Sequence, residues 1–305
     1  EDFSNRIIYY ESSRGCPFSC SYCLSSVDKK LRFRDIQLVK EELQFFIDQK
    51  VPQIKFVDRT FNCNHEHAME IWRYILKKDN GVTNFHFEVS ADLINEEELA
   101  LMQKMRPGLI QLEIGVQSTN DATIKEIKRT MNLERLKEIV TRIQAFSNIH
   151  QHLDLIAGLP YEDYETFRKS FDEIYCLQPN QLQMGFLKVL KGSYMYEHVK
   201  EYEILYHDDP PYEVMATKWL SYEDVLKMNI LLNSFLQGLD NSLQKENGLY
   251  QLVLPKKLLH PYCVLPKYGK NLQVFQKTSL FVRRPIPKYL RYSYRVLPRH
   301  RHKQR

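Results

Sequence analysis

A chain of 305 residues, 43% of them hydrophobic, can bury the core of one large domain or two modest ones. Six cysteines are too few for a disulfide scaffold, no apolar run nears the roughly 18 residues that cross a membrane, and no secretory leader is visible, so a cytoplasmic protein is expected. The net charge of +5 averages two unlike parts: residues 283–305 hold nine Lys or Arg and no acid, whereas the other 282 hold 34 basic and 38 acidic side chains.

In chain order, runs rich in Ile, Leu, Val and Phe read as strands at 6–11, 53–57, 85–90, 109–116, 152–156 and 181–188. Helical patterns lie between them. The first, at 35–49, carries Leu38, Leu43, Phe46 and Ile47 at helical spacing, and others follow at 65–78, 95–105, 133–146 and 164–176. Asn95 with Glu98 three residues on has the form of a capping box. Strand and helix alternating six times imply an α/β fold with parallel strands and right-handed crossovers, short of a closed eight-fold barrel. From Gly192 the rhythm changes. Pro210-Pro211 interrupts the chain, a helix is expected over 222–237, and prolines recur to the end. The expected division is a core at 1–190, a smaller C-terminal domain at 191–282 and a basic tail at 283–305.

Between the first strand and the first helix stands Gly15-Cys16-Pro17-Phe18-Ser19-Cys20-Ser21-Tyr22-Cys23, a C-x3-C-x2-C spacing. Three thiolates this close cannot all pair with one another, but they can converge on one soft metal centre. A 4Fe–4S cluster held by three cysteines keeps one iron open for chemistry, and a zinc loop completed by a distant ligand is the other reading. The loop follows the first strand, so in a parallel barrel it lies at the C-terminal ends of the strands, where barrel sites are built.

Cys16, Cys20 and Cys23, with aromatic Tyr22 before the last, resemble the cluster motif of the radical S-adenosylmethionine (SAM) superfamily. The resemblance spans about residues 6–190 and implies a partial (β/α)6 barrel. It is closest to the branch that carries an N-terminal cobalamin-binding domain, among bacterial members with an uncharacterised C-terminal extension. The runs Tyr9-Tyr10-Glu11-Ser12-Ser13-Arg14-Gly15 and Phe56-Val57-Asp58-Arg59-Thr60-Phe61-Asn62 are similar to theirs. The resemblance implies a cobalamin domain ahead of Glu1, which is consistent with the missing initial Met.

The resemblance implies roles at further positions. Asp58 stands where many relatives carry Gly-Gly-Glu for the SAM amino group, here without the glycines. Glu88 resembles a glutamate that reaches the same ammonium, and is preferred over Glu113. Gln117 is placed for the ribose and carboxylate, Arg129 for the carboxylate, and Asp154 opens a motif that lines the adenine and ribose pocket. A guanidinium fork suits a carboxylate, and an amide both donates and accepts. The implied activity is reductive cleavage of SAM to a 5′-deoxyadenosyl radical, with cobalamin-assisted methyl transfer as one outcome. A reducing electron-transfer protein of flavodoxin or ferredoxin type is the implied partner, and the substrate is not legible. A methylthiotransferase-like RNA-modifying enzyme and a non-catalytic metal-binding regulator are the rival readings.

Three weaker features remain. Cys63-Asn64-His65-Glu66-His67 has metal-ligating residue types but begins a helix, where alternate residues diverge. Cys176 is expected in packed core, and His260-Pro261-Tyr262-Cys263 has too few thiols for a second cluster. The tail, with Tyr289, Tyr292 and Tyr294 among its basic residues, reads as solvated chain against the acidic body. Nucleic acid or an acidic electron carrier are its other partners.

Overall fold

A computed structural model of the chain describes residues 3, 5–229, 243–246 and 249–253. Six parallel strands form its centre: β1 (Ile7–Tyr10), β2 (Gln53–Phe56), β3 (Asn84–Val89), β4 (Ile110–Gln117), β5 (His150–Ala157) and β6 (Gln181–Phe186). They are neighbours in chain order, with registers such as Tyr10 against Phe56 and Glu88 against Glu113. The helices between them are α1 (Ile36–Asp48), α2 (His65–Lys77), α3 (Glu96–Met102), α4 (Asp121–Glu126), α5 (Leu133–Phe146) and α6 (Tyr164–Tyr175). This is the α/β partial barrel, with the six expected strands and the five helices expected between them in place, and α4 added. Two antiparallel strands that the sequence did not announce, β7 (Leu243–Glu246) and β8 (Leu249–Val253), extend the sheet beyond β6, β8 pairing with it.

Period-two alternation divides each strand between two environments. Phe85 with Phe87, Leu112 with Ile114, and Leu153 with Leu155 point to the helical layer and are at most 1% exposed. Trp72 and Ile75 of α2 and Ile139 and Ile143 of α5 meet them there. The alternate positions carry Lys55, His86, Glu88, Glu113, His152 and Asp154, so the inner face of the sheet is polar and ionisable. That departs from a closed barrel interior, which branched aliphatic side chains normally fill.

Local chemistry sets the element ends. The Asp35 carboxylate accepts from the Gln37 and Leu38 amides to start α1. The Asn95–Glu98 capping box forms as expected, each side chain accepting from the other residue's amide. α3 stops at Met102 rather than Met105, because the approach to Pro107 tightens the chain into i to i−3 bonds at Lys104 and Met105. Cys176 corrects an expectation. It follows α6 at its C-terminal cap and is exposed, off the stripe of Phe167 and Ile174 that faces the core.

After β6 the chain folds back over the C-terminal ends of the strands. α7 (Tyr194–Glu197) follows, the Val214 amide donates to Leu187 O, and residues 222–229 are helical. The remainder of the expected 222–237 helix, the His260–Cys263 pair and the basic tail lie outside the described residues. No helix among the described residues is long and apolar enough to cross a membrane.

Candidate active site

The cysteine loop leaves β1 at the C-terminal end of the sheet, as its place in the chain requires. Gly15 has φ +98°, and a Cβ there would stand 2.4 Å from the Lys30 carbonyl oxygen, so only glycine lets the loop close on itself. The Cys16 amide donates to Asp28 O across that closure at 3.0 Å. Cys16, Cys20 and Cys23 are free thiols, the first two buried. Burial pushes the Cys16 thiol up, so it is neutral when free and ionises against a cation such as iron.

Two neighbouring loops stitch this one in place. The Ser21 amide donates to Ile127 O at 2.8 Å, and Ser21 O accepts from the Met195 amide at 2.9 Å. Arg129 Nη1 donates to the Tyr22 hydroxyl at 3.2 Å and approaches Cys20 Sγ at 3.9 Å, while Nη2 donates to Gly115 O. Gly115 leaves room for the Gln117 amide, which any side chain there would displace. A Cβ there would fall 2.4 Å from Gln117 Nε2 and 3.5 Å from the guanidinium. Gln117 has φ +73°, where a side chain is uncommon, and its Oε1 is buried without a partner among the described residues, as is Arg129 Nε. A free acceptor and a free donor beside three thiols fit a bound group that supplies both.

Asp58, expected to meet the SAM ammonium, is wholly buried beneath the loop. Its carboxylate accepts from Ser12 N at 3.0 Å, Ser12 Oγ at 2.7 Å and Ser13 Oγ at 2.6 Å. His67 Nε2 lies 3.1 Å from the same Ser12 Oγ. Asp58 thus ties the end of β2 to the segment that leads into the cysteines. His65 pairs instead with Glu98 at 2.9 Å, so His65 and His67 point to different partners. No three His, Cys, Asp or Glu side chains among the described residues are placed to share a single metal ion.

Glu88, Glu113 and Asp154 lie together on the inner face. Glu113 Oε2 is 2.8 Å from His86 Nε2 and 3.1 Å from Lys55 Nζ, and Asp154 Oδ1 is 3.1 Å from His152 Nε2. Burial, then the charge of Glu113, push Glu88 up to about 7. Burial acts on Glu113 too, but His86, Lys55 and His152 outweigh it and hold that carboxyl at about 2. Burial pushes Asp154 up. Lys55, His86 and His152 escaped the sequence reading, and only the alternation of lumen positions could have found them. Glu162 also escaped. Buried behind the loops after β4 and β5, it accepts from Ser118 Oγ at 2.6 Å and Ser170 Oγ at 3.3 Å, and burial pushes it up to about 8.

A loop of three free cysteines over the C-terminal end of a six-stranded parallel partial barrel defines a class, and comparison with known proteins assigns it. Residues 10–174 match the family model of the radical SAM superfamily, and the chain belongs to that superfamily. Enzymes of the family use a 4Fe–4S cluster and SAM, and cysteine thiolates are the ligands such a cluster takes. Residues 200–237 match a second model, a protein of unknown function (DUF4080). Among curated proteins, the 2-(S-pantetheinyl)-carbapenam-3-carboxylate methyltransferase of Streptantibioticus cattleyicolor is 27% identical over 52% of this chain and 24% of its own. The bacteriochlorophyllide d C-12(1)-methyltransferase of Chlorobaculum tepidum is 25% identical over 65% of this chain and 43% of its own. The chain therefore spans a quarter to under half the length of these relatives. The radical SAM methyltransferase TsrM of Kitasatospora setae, solved with cobalamin and a [4Fe-4S] cluster, superposes with TM-score 0.55 at 18% identity, over 67% of this chain and 38% of its own. That likeness is one of fold.

Proposed function

We propose that the chain is the catalytic core of a radical SAM methyltransferase that works with cobalamin held outside residues 1–305. The observation that carries it is the convergence of Cys20, Tyr22, Arg129 and Gln117, with two buried unpaired polar atoms, at the strand ends. The cluster, when bound, supplies the electron that cleaves SAM. Cys16, Cys20 and Cys23 hold it. Arg129 stands against the SAM carboxylate, and Gln117 offers its free carbonyl oxygen to a ribose hydroxyl. Glu88 takes the ammonium and Asp154 closes the pocket towards β5. Asp58 acts one step back, holding the loop rather than touching SAM, and Tyr22 orients Arg129. The similarity to two curated methyltransferases supports methyl transfer, although an equally similar relative is a cyclase and another a ribosomal-protein methylthiotransferase. Free thiols suit a reducing cytoplasm, with a low-potential carrier protein as reductant.

The test is anaerobic reconstitution with iron and sulfide, reduction in the presence of SAM, and mass detection of 5′-deoxyadenosine and S-adenosylhomocysteine. A cluster and SAM-derived product from the native chain, both lost in Cys20→Ala, are the expected result. Tight zinc with no iron overturns the reading.

A further inference from the structure

The segment that matches the family of unknown function meets the barrel at one short helix. Tyr202, 3% exposed, donates its hydroxyl at 2.5 Å to Oε1 of Glu126, the last residue of α4. Burial, then Glu126, push that hydroxyl above its ordinary value, so Tyr202 remains the donor. Its ring lies 5.9 Å from that of Trp219, and Trp219 lies 4.7 Å from Tyr161 in the loop after β5. This loop grips the other end of α4: Asn120 Nδ2 donates to Tyr161 O and Thr123 Oγ1 to Pro160 O, both at 2.8 Å. Tyr161 has φ +61°, a conformation that persists in such a residue where its surroundings impose it. At Gly158, in the same loop, an added Cβ would stand 2.7 Å from Val214 of the segment. α4 is thus held at both ends, and Trp219 joins the two holds.

What leaves α4 is the site. Ile127 O accepts from the Ser21 amide of the cysteine loop, Lys128 turns the chain at φ +55°, and the Arg129 amide donates back to Ile124 O at 3.1 Å. That turn sets the guanidinium against Tyr22 and Cys20. A six-residue helix is too short to be stable alone, so its place comes from what grips its ends. We infer that the segment beginning at residue 200 is a positioning clamp for SAM binding: Tyr202 through Glu126, and Trp219 through Tyr161, fix α4 and with it Arg129. Neither side chain touches SAM. The inference rests on the reading of Arg129 as the partner of the SAM carboxylate, and it gives the segment of unknown function a task.

The test is SAM binding to the anaerobically reconstituted protein, by calorimetry and by the change SAM makes in the electron paramagnetic resonance spectrum of the reduced cluster. Tyr202→Phe keeps the ring and loses the donor. It is expected to load iron as the native chain does and to weaken SAM about tenfold, with a smaller spectral change. Glu126→Ala and the double variant Glu126→Ala/Tyr202→Phe are expected to match it, because the two residues act as one. Glu126→Gln, which keeps an acceptor, should stay within about twofold of the native affinity. Trp219→Leu should weaken SAM too, and Tyr206→Phe, elsewhere in the segment, should change nothing. Additive losses in the double variant overturn the clamp, as does native SAM affinity in Tyr202→Phe when Arg129→Met has lost it. Loss of iron in step with SAM affinity overturns it as well, since the segment then supports the fold rather than Arg129. Native SAM affinity in Arg129→Met overturns the reading of Arg129 and the clamp with it.

Discussion

Glu88 and Glu113 are the same residue type on paired positions of adjacent strands, yet their environments drive them apart, to about 7 and about 2. Separation of this kind between like groups marks a division of labour. Glu113 is pinned by Lys55 and His86 and stays charged, while Glu88 is half-protonated near neutrality. An ammonium beside Glu88 favours its ionised form, so SAM should bind more tightly as pH rises through 7 and release a proton on binding. Calorimetry from pH 6 to 8 should show this, and Glu88→Gln should flatten the profile and weaken SAM about tenfold. Glu162 makes a contrasting prediction. Its folded-state value of about 8 lies above the ordinary 4.5, so the folded form keeps its proton longer. The stability this provides is present below pH 4.5 and lost as pH rises through 8. Glu162→Gln keeps an acceptor for Ser118 and carries no charge, so denaturant melts at pH 8.5 should find it more stable than the native chain.

The cysteine loop is short of regular structure, and its shape depends on what lies beneath. A buried carboxylate with three donors cannot be removed without orphaning them, at a cost of about 1–3 kcal/mol for each donor left unpaired. Asp58→Ala should therefore lower the melting midpoint and reduce cluster loading in reconstitution, measured as iron per chain. Asp58→Asn, which keeps an acceptor, should load more iron and bind SAM as the native chain does. At this scale the sequence was legible where one physical rule acts. Apolar runs marked the barrel strands, and Asn95 with Glu98 marked the start of α3. It was less legible where distant segments meet. Nothing local to Asp58 shows that Ser12 and Ser13 will use up its oxygens. Glu162 looks like an ordinary acid beside the Asp163 helix cap until Ser118, over forty residues earlier, closes on it. β7 and β8 were not announced either, since what holds them is long-range: β8 pairs with β6, more than sixty residues earlier, and β7 with β8.

Among the described residues, the barrel puts its apolar layer outside the sheet and ionisable side chains inside. Such an inner face is costly when empty and suits a polar occupant. Ligand binding should then register as global stability. SAM at a hundred times its dissociation constant contributes about 2.7 kcal/mol. For a domain of this size that raises the midpoint by roughly 5–10 °C. Scanning fluorimetry of the reconstituted protein should show the rise, and Cys20→Ala should abolish it.

The bonds at Ser21 also carry a consequence for the order of events in the cell. The thiols lie within the first 23 residues, but the carbonyl beside them waits for the amide of Met195. At ordinary translation speeds the ribosome takes roughly ten to thirty-five seconds to cover that interval. The nascent cysteines spend that time without their finished surroundings, exposed to oxygen and stray metals. The finished setting of the cysteine loop is therefore a late event of synthesis, completed by a residue that contributes no thiol.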